Sequence, residues 1–269
     1  MYEFHADRKQ YYDMQKINAE KHVLPFIEKV HSLPGQTTVL EIGCGEGGVM
    51  APFLERGCRC VGVDFDKARI DLAASLLGQY IPSGQLRLLG KDIYQVDPLA
   101  EFGHKFDIII LKDVIEHIHD RPKLFLEMKR YLNAGGCIFF GFPPWQMPFG
   151  GHQQICKNKF LSRAPYYHLL PAFMYKSLLA HFHESVDELL EIRETRISIE
   201  GFERVAKMTG YRIEEKKLFL INPIYEYKFR IRPREQFGLL GQIPWLRNFF
   251  TTCAYYIISP APPPGALLG

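Results

Sequence analysis

From residue 37 to about 142 the chain alternates short apolar runs with amphipathic stretches. Thr37–Ile42 (TTVLEI), Arg59–Val63 (RCVGV), Leu86–Leu89, Phe106–Leu111 (FDIIIL) and Cys137–Phe142 (CIFFGF) are rich in β-branched and apolar residues. Such runs predict strands, and the nearly continuous apolarity of the fourth predicts burial on both faces, as in a parallel sheet. Between them Val49–Glu55, Lys67–Leu77 (KARIDLAASLL) and Lys123–Leu132 have helical spacing, and Asn133-Ala134-Gly135-Gly136 reads as the stop signal of the last helix. Repeated βα units of this size require right-handed crossovers and predict a doubly wound α/β sheet. Upstream, Tyr11, Met14, Ile17, Val23, Phe26, Ile27 and Val30 predict one or two helices within Asp7–Val30. Those helices either pack on the sheet edge or cover a ligand cleft, with Tyr11 or Tyr12 reaching in.

The rhythm breaks twice. Pro143–His183 holds five prolines, eight aromatics and the cations Lys157, Lys159, Arg163 and Lys176, but no acid. An acidic stretch follows (Glu184, Asp187, Glu188, Glu191, Glu194), and then the α/β pattern resumes with a helix over Ser198–Met208 and a strand over Tyr211–Ile221. A second irregular segment runs from Asn222 to about Phe250, and Thr251–Ser259 is a last strand. The expected organisation is one domain over 1–259, with a helical cover at 1–34, insertions at 143–197 and 222–250, and a tail at 260–269 (PAPPPGALLG) unable to form a packed element. Within the second insertion, Lys228, Arg230, Arg232 and Arg234 alternate with Tyr227, Phe229, Ile231 and Pro233. In extended chain this alternation puts the cations on one face. It predicts either an edge strand guarded by charge or a basic wall toward an anionic substrate, a lipid headgroup or a membrane surface.

Composition narrows the picture. Hydrophobic residues at 47% and charged residues at 23% exclude wholesale disorder. A net charge of +3 and the lack of a recognition module argue against a nucleic-acid partner. There is no apolar run near the ~18 residues that span a bilayer, and MYEFHADRKQYYD lacks the apolar core of a secretory signal. The aromatic excess is local: residues 35–142 hold 11 aromatics in 108 positions, whereas 143–183 hold 8 in 41 and 223–256 hold 9 in 34. The surplus therefore belongs to the segments that interrupt the α/β rhythm. Cys44, Cys58, Cys60, Cys137, Cys156 and Cys253 form no CxxC pair and are expected reduced and mostly buried, in a cytoplasmic protein. His181 and His183 have no carboxylate at ligand spacing, so no metal site is expected.

The strongest signal is Glu41-Ile42-Gly43-Cys44-Gly45-Glu46-Gly47-Gly48, at the end of the first strand. Glycines there let the backbone turn tightly and a ligand approach closely. Gly43, Gly45 and Gly48 satisfy GxGxxG, which alone is a weak match to dinucleotide binding. Glu41, two residues before the first glycine, discriminates. A carboxylate there repels a pyrophosphate, which would otherwise sit at the helix N-terminus. It suits S-adenosyl-L-methionine (SAM), which carries a sulfonium and an ammonium and no phosphate. Asp64 ends the second strand, where an acid accepts hydrogen bonds from ribose hydroxyls in either ligand class. Phe65 can lie against adenine. Asp92, after the third strand, can accept from the adenine amino group beside the apolar Ile93.

With these residues in place the chain resembles the class I SAM-dependent methyltransferases, especially the small-molecule group that includes the ubiquinone- and menaquinone-biosynthesis enzymes. The resemblance rests on VLEIGCGEGG (Val39–Gly48), GVDFD (Gly62–Asp66), KDI (Lys91–Ile93), FDIIILKDVIEHIHD (Phe106–Asp120) and YLNAGGCIFFGFPP (Tyr131–Pro144). It covers residues 35–144 well and 198–259 loosely. It implies a Rossmann-like seven-stranded sheet of order 3-2-1-4-5-7-6 with the seventh strand antiparallel. It also implies SAM as cofactor and S-adenosyl-L-homocysteine as product. By the same resemblance Glu41, Gly43, Cys44 and Gly45 meet the methionine part, Asp64 and Phe65 the nucleoside, and Asp92 and Ile93 the adenine. Lys112, Asp113 and His117 then follow the fourth strand, where cofactor and acceptor meet.

Methyl transfer is an in-line displacement that needs alignment and exclusion of water, plus a base when the acceptor is a hydroxyl or an ammonium. Candidates are His117, Asp113 and His152, the last beside the Gly150-Gly151 hinge past the fifth strand. Phe142-Pro143-Pro144-Trp145 mimics the [D/N]PP[F/Y] signature of amino-methylating nucleic-acid enzymes, but it follows the wrong strand and Phe142 cannot accept a hydrogen bond. The expected function is methylation of a small acceptor, apolar or aromatic, with a negative group or a lipid-like body; peripheral membrane contact is one option. The alternatives are an RNA methyltransferase and a non-catalytic SAM-binding protein. The sequence leaves oligomeric state open.

Overall fold

The computed structural model describes residues 7–184 and 187–262. Its centre is an eight-stranded sheet: β1 (Thr38–Ile42), β2 (Arg59–Asp64), β3 (Leu86–Gly90), β4 (Phe106–Lys112), β5 (Leu132–Phe142), β6 (Tyr211–Ile221), β7 (Arg234–Glu235) and β8 (Cys253–Pro260). The order is 3-2-1-4-5-8-6-7. The first five strands pair in parallel, and β8 runs antiparallel to both β5 and β6. This is the expected 3-2-1-4-5-7-6 arrangement with one addition, the two-residue edge strand β7 on β6.

Period-two alternation gives the sheet two buried faces. Leu40, Ile42, Val61, Val63, Ile109, Leu111, Ile138 and Phe140 share one core cluster with helix residues Leu124, Phe125, Met128 and Phe202. Val39, Cys60, Ile108, Ile110, Cys137 and Phe139 lie in the other, with Val23, Leu24, Phe26 and Phe53. Glu41 has the parity of Val39, so it points to that second face, at its carboxyl end.

Helix α1 (Arg8–Asn18) is capped by Asp7, whose carboxylate accepts from the Gln10 amide. It runs through a π-helical turn (Ala19–Val23) into α2 (Leu24–Ile27). Pro25 lacks the N–H that would continue the α-helical ladder, which accounts for the irregular turn before it. Helices α3 (Ala51–Glu55), α4 (Lys67–Leu77), α5 (Pro98–Phe102) and α6 (Arg121–Tyr131) follow the first four strands. Next come α7 (Ala172–His181), α8 (Asp187–Thr195) and α9 (Ile199–Met208), the last capped by Ser198. The second insertion folds into α10 (Tyr225–Phe229), α11 (Gly238–Gln242) and α12 (Leu246–Phe250).

Three boundaries differ from expectation. Leu132 already pairs with Phe106 across a register shift, so Asn133–Gly136 bulge within a strand instead of ending a helix. Pro260 pairs with Tyr211 as the last residue of β8, and residues 263–269 of the expected tail lie outside the described residues. Tyr225–Arg234 is not extended: Tyr225–Phe229 is helical and Arg230 takes a left-handed turn at φ 58°. The reason is side-chain packing. Helical spacing sets Tyr225 edge to face with Phe229 (centroids 5.2 Å apart) and turns Tyr225 and Lys228 to one side. The cations therefore do not form one wall.

The first insertion has its own small core of Cys156, Leu161, Tyr167, Tyr175, Leu179 and Leu189. All six cysteines are buried, and none forms a disulfide among the described residues. Among the described residues no helix is long and apolar enough to cross a membrane.

Candidate active site

Two cavities open at the carboxyl ends of β1, β2, β3 and β4, where open α/β sheets bind ligands. The larger, about 470 Å³, is lined by Asp64, Phe65, Asp92, Ile93 and Lys91, among others. The second, about 270 Å³, includes Glu41, Cys44, Lys112 and Glu116 with Tyr11, Tyr12, Met147, Phe149, His152, Tyr225 and Lys228. Gly43, Arg69, Asp113 and His117 belong to both and mark the junction.

The glycine turn is held by Asp64. Its Oδ2 accepts the Gly45 amide at 2.8 Å and its Oδ1 the Asp66 amide at 2.9 Å. Gly43 sits at φ 71°, and a Cβ there would stand 2.5 Å from Val114. Gly45 lines neither cavity. Its open face is covered by the Arg69 guanidinium, 2.2 Å from where a Cβ would lie. Arg69 in turn donates to both oxygens of Glu46, at 3.2 and 2.9 Å, and Arg8 of α1 donates to the same carboxylate at 2.7 Å. Burial opposes the Glu46 charge, but these guanidinium contacts outweigh it and hold the carboxyl below its usual range.

Glu41 is 2% exposed, and its Oε2 has no hydrogen-bond partner among the described residues. Desolvation, opposed by Lys112, pushes its pKa well up. A buried carboxylate in that condition is an acceptor waiting for a cation or donor. The neighbouring Cys44 thiol is also pushed well up by burial, so it stays protonated.

At the end of β4, Lys112 is buried and bridges to Asp113 at 2.5 Å. Burial works against both charges, yet each holds the other ionised: Lys112 lies above the lysine range and Asp113 below the carboxylate range. Asp113 adopts φ 56°, a costly conformation for a residue with a side chain. The His117 and His152 rings meet edge to face with centroids 5.3 Å apart, so the structure brings two of the three expected catalytic groups together and sets Asp113 in the same cavity. Asp92 caps a short turn through the Tyr94 amide, and the Tyr131 hydroxyl donates to the Ile93 carbonyl at 2.9 Å.

The sequence reading did not single out Arg69, Glu46 or Glu116. Glu46 had a legible signal, a charge inside a glycine loop that needs a partner. Arg69, early in α4, and Glu116 had none. Of the four alternating cations, only Lys228 reaches the cavity; Arg230, Arg232 and Arg234 are exposed outside it. Burial lowers the Lys228 pKa to about 8, with Asp113 opposing the shift.

The geometry agrees with comparisons to known proteins. Residues 40–140 match the family model described as a methyltransferase domain. That segment carries the sequence of a methyltransferase domain. The chain is 33% identical over 122 residues to an uncharacterized methyltransferase of Mycobacterium sp. (strain KMS), covering 45% of this chain and 44% of that one. It is 27% identical over 117 residues to a ubiquinone biosynthesis O-methyltransferase of Coxiella burnetii, covering 44% and 47%. The chain thus spans less than half the length of these curated relatives. In fold it is similar to phosphoethanolamine N-methyltransferase 2 of Haemonchus contortus in complex with SAM, with TM-score 0.55 and 17% identity over 89% of this chain and 52% of that one. The insertions around the second cavity fall outside the family match.

Proposed function

We propose that the chain moves a methyl group from SAM to a small acceptor with an apolar or aromatic body and a negative group. The observation that carries the cofactor assignment is Glu41, a carboxylate buried beside the glycine turn with one oxygen unpartnered. A pyrophosphate would meet that carboxylate as a like charge, whereas the ammonium of SAM supplies the missing donor. Arg69, shared by both cavities, complements the cofactor's own carboxylate. Asp64 receives the ribose hydroxyls, Asp92 and Ile93 the adenine edge, and Phe65 covers the ring.

Bound SAM supplies an electrophilic methyl on a sulfonium. The chain's contribution is alignment and dryness. Tyr11, Tyr12, Met147, Phe149 and Tyr225 surround the acceptor and exclude water. Lys228 draws in its negative group. Asp113, His117 and His152 form a proton-accepting edge at the junction for a hydroxyl or amine acceptor.

A lipid-like acceptor is supported by a further groove of about 220 Å³. It shares Phe149, Gln154 and Tyr225 with the acceptor cavity and continues along Phe229 to Ile231. In the same insertion Phe237, Leu239 and Trp245 are exposed, as are Arg230, Arg232 and Arg234. Exposed apolar side chains and cations carried by one segment fit peripheral contact with an anionic bilayer.

Titration calorimetry with SAM, S-adenosylhomocysteine, NAD and NADP tests the cofactor; binding of the first two only is expected, and absence of SAM binding overturns the reading. Transfer of tritiated methyl into a cell extract, followed by phase separation, tests the acceptor. Label in the organic phase is expected, label confined to water-soluble metabolites removes the lipid-like acceptor, and label in RNA replaces the acceptor class.

A further inference from the structure

The two histidines at the junction share their position with a buried acid. A carboxylate oxygen of Glu116 and ring nitrogens of His117 and His152 all lie within 4.8 Å of one another. Glu116 and His117 come from the short turn after β4, and His152 from the first insertion, 35 residues further on, so no sequence spacing announces the group. Glu116 is 5% exposed, and its Oε2 has no hydrogen-bond partner among the described residues. A charge-bearing oxygen left buried in that way is costly unless something binds it. Arg121 stands close enough to act on Glu116 electrostatically, but its Nε donates to the Ile115 carbonyl.

We propose that Glu116, His117 and His152 form a divalent-cation site in the wall of the acceptor cavity. Two imidazoles and one carboxylate are the donor set of zinc and of the neighbouring transition metals, and a poor match to magnesium or calcium, which take oxygen ligands. All three residues line the acceptor cavity, so coordination positions left over by the protein face the acceptor. Three protein ligands with an open position is the arrangement of a catalytic metal site. The cation holds an oxygen of the acceptor there, which gives the negative group a second anchor besides Lys228. That role rests on the proposed methyl transfer, with Asp113 left as the proton acceptor when His117 and His152 hold the cation; occupancy of the site by metal does not.

The test uses the full chain, stripped with a chelator and dialysed against cobalt(II), whose visible absorption reports coordination by nitrogen and oxygen. One cobalt per chain is expected, displaced by zinc. Binding should be lost in Glu116→Gln and in His152→Ala, and kept in the His181→Ala, His183→Ala double variant. His117→Gln is a further probe, since that side chain is exposed. Circular dichroism shows which variants are folded. Less than one cobalt bound by the parent chain, or full binding by folded Glu116→Gln and His117→Gln, overturns the site. Cobalt binding without SAM binding keeps the metal site and removes the cofactor reading; SAM binding without cobalt does the reverse.

Discussion

The two cavities that meet at Gly43, Arg69, Asp113 and His117 are built in opposite ways. The nucleoside side takes its key groups from the ends of consecutive parallel strands: Gly43 after β1, Asp64 on β2, Asp92 just past β3. Each position is fixed at or next to a strand end, and hydrogen bonds donated by nearby amides to the Asp64 and Asp92 carboxylates stiffen it further. The acceptor side is assembled from α1, the end of β4, the first insertion and α10, pieces separated by more than two hundred residues. One side is acidic and set by local rules. The other is aromatic and mixed in charge, and depends on how distant segments pack. A cofactor site can thus stay constant on a scaffold while the acceptor site changes by insertion.

Gly43 should give the largest effect on the nucleoside side. Valine there needs φ 71° and meets Val114 at 2.5 Å, so the turn must move. Gly43→Val is expected to abolish SAM binding in calorimetry while the circular dichroism spectrum is retained. Parent-like affinity would show that the turn does not form the cofactor site. Asp64→Ala should follow. It removes a carboxylate that holds two amides and is proposed to bind ribose, at a cost of about 1.5–3 kcal/mol, or roughly a 10- to 150-fold weaker Kd. Asp92→Ala should cost less, because that side chain is exposed. If the Asp92 change proves larger, the ranking by burial is wrong.

On the acceptor side the decisive group is Lys228. Its pKa of about 8 means that it is charged at neutral pH and loses its proton in mild alkali. The groups facing it are Asp113, which favours its charge, Lys112, which opposes it, and the Tyr11 ring at 5.4 Å. KM for an anionic acceptor should therefore rise as pH climbs through 8. Lys228→Met should raise KM about tenfold at neutral pH, the worth of one charge-assisted contact, and flatten the profile. Lys228→Arg, which stays charged, should keep KM low at pH 9. A stability effect of opposite sense accompanies it: the folded pKa lies below the unfolded 10.5, so the chain gains stability between about pH 8 and 10.5. An unchanged KM profile in Lys228→Met would assign the acceptor's negative group elsewhere.

The same contrast decides what was legible in the sequence. Strand periodicity placed β1 to β6, and the acids at strand ends were readable because strand and turn are local signals. Glu41 was informative since its offset from Gly43 sets its face of the sheet. Lys228 was misplaced on a basic strand face, because Tyr225–Phe229 reads equally as a β-favouring run and the helix shows only in the contact of Tyr225 with Phe229. Glu116 and His152 meet across two loops, and no periodicity encodes that encounter. Arg69 looked like an ordinary residue of α4, and its contact with Glu46 exists only after β1 and β2 are paired.

Phe65 supplies the smallest and sharpest comparison. It lines the nucleoside cavity yet is 86% exposed, so its ring has almost nothing to lose by truncation in the free chain. Its value appears only when a flat ligand covers it. An aromatic contact of that kind contributes about 0.5–1.5 kcal/mol, so Phe65→Ala should weaken SAM binding roughly 2- to 12-fold and leave the unfolding temperature unchanged. Phe65→Leu should recover part of the loss through apolar cover alone. Acceptor KM at saturating SAM should not move, because Phe65 does not line the acceptor cavity. If Phe65→Ala changes acceptor KM and spares SAM affinity, the division of labour between the two cavities is reversed.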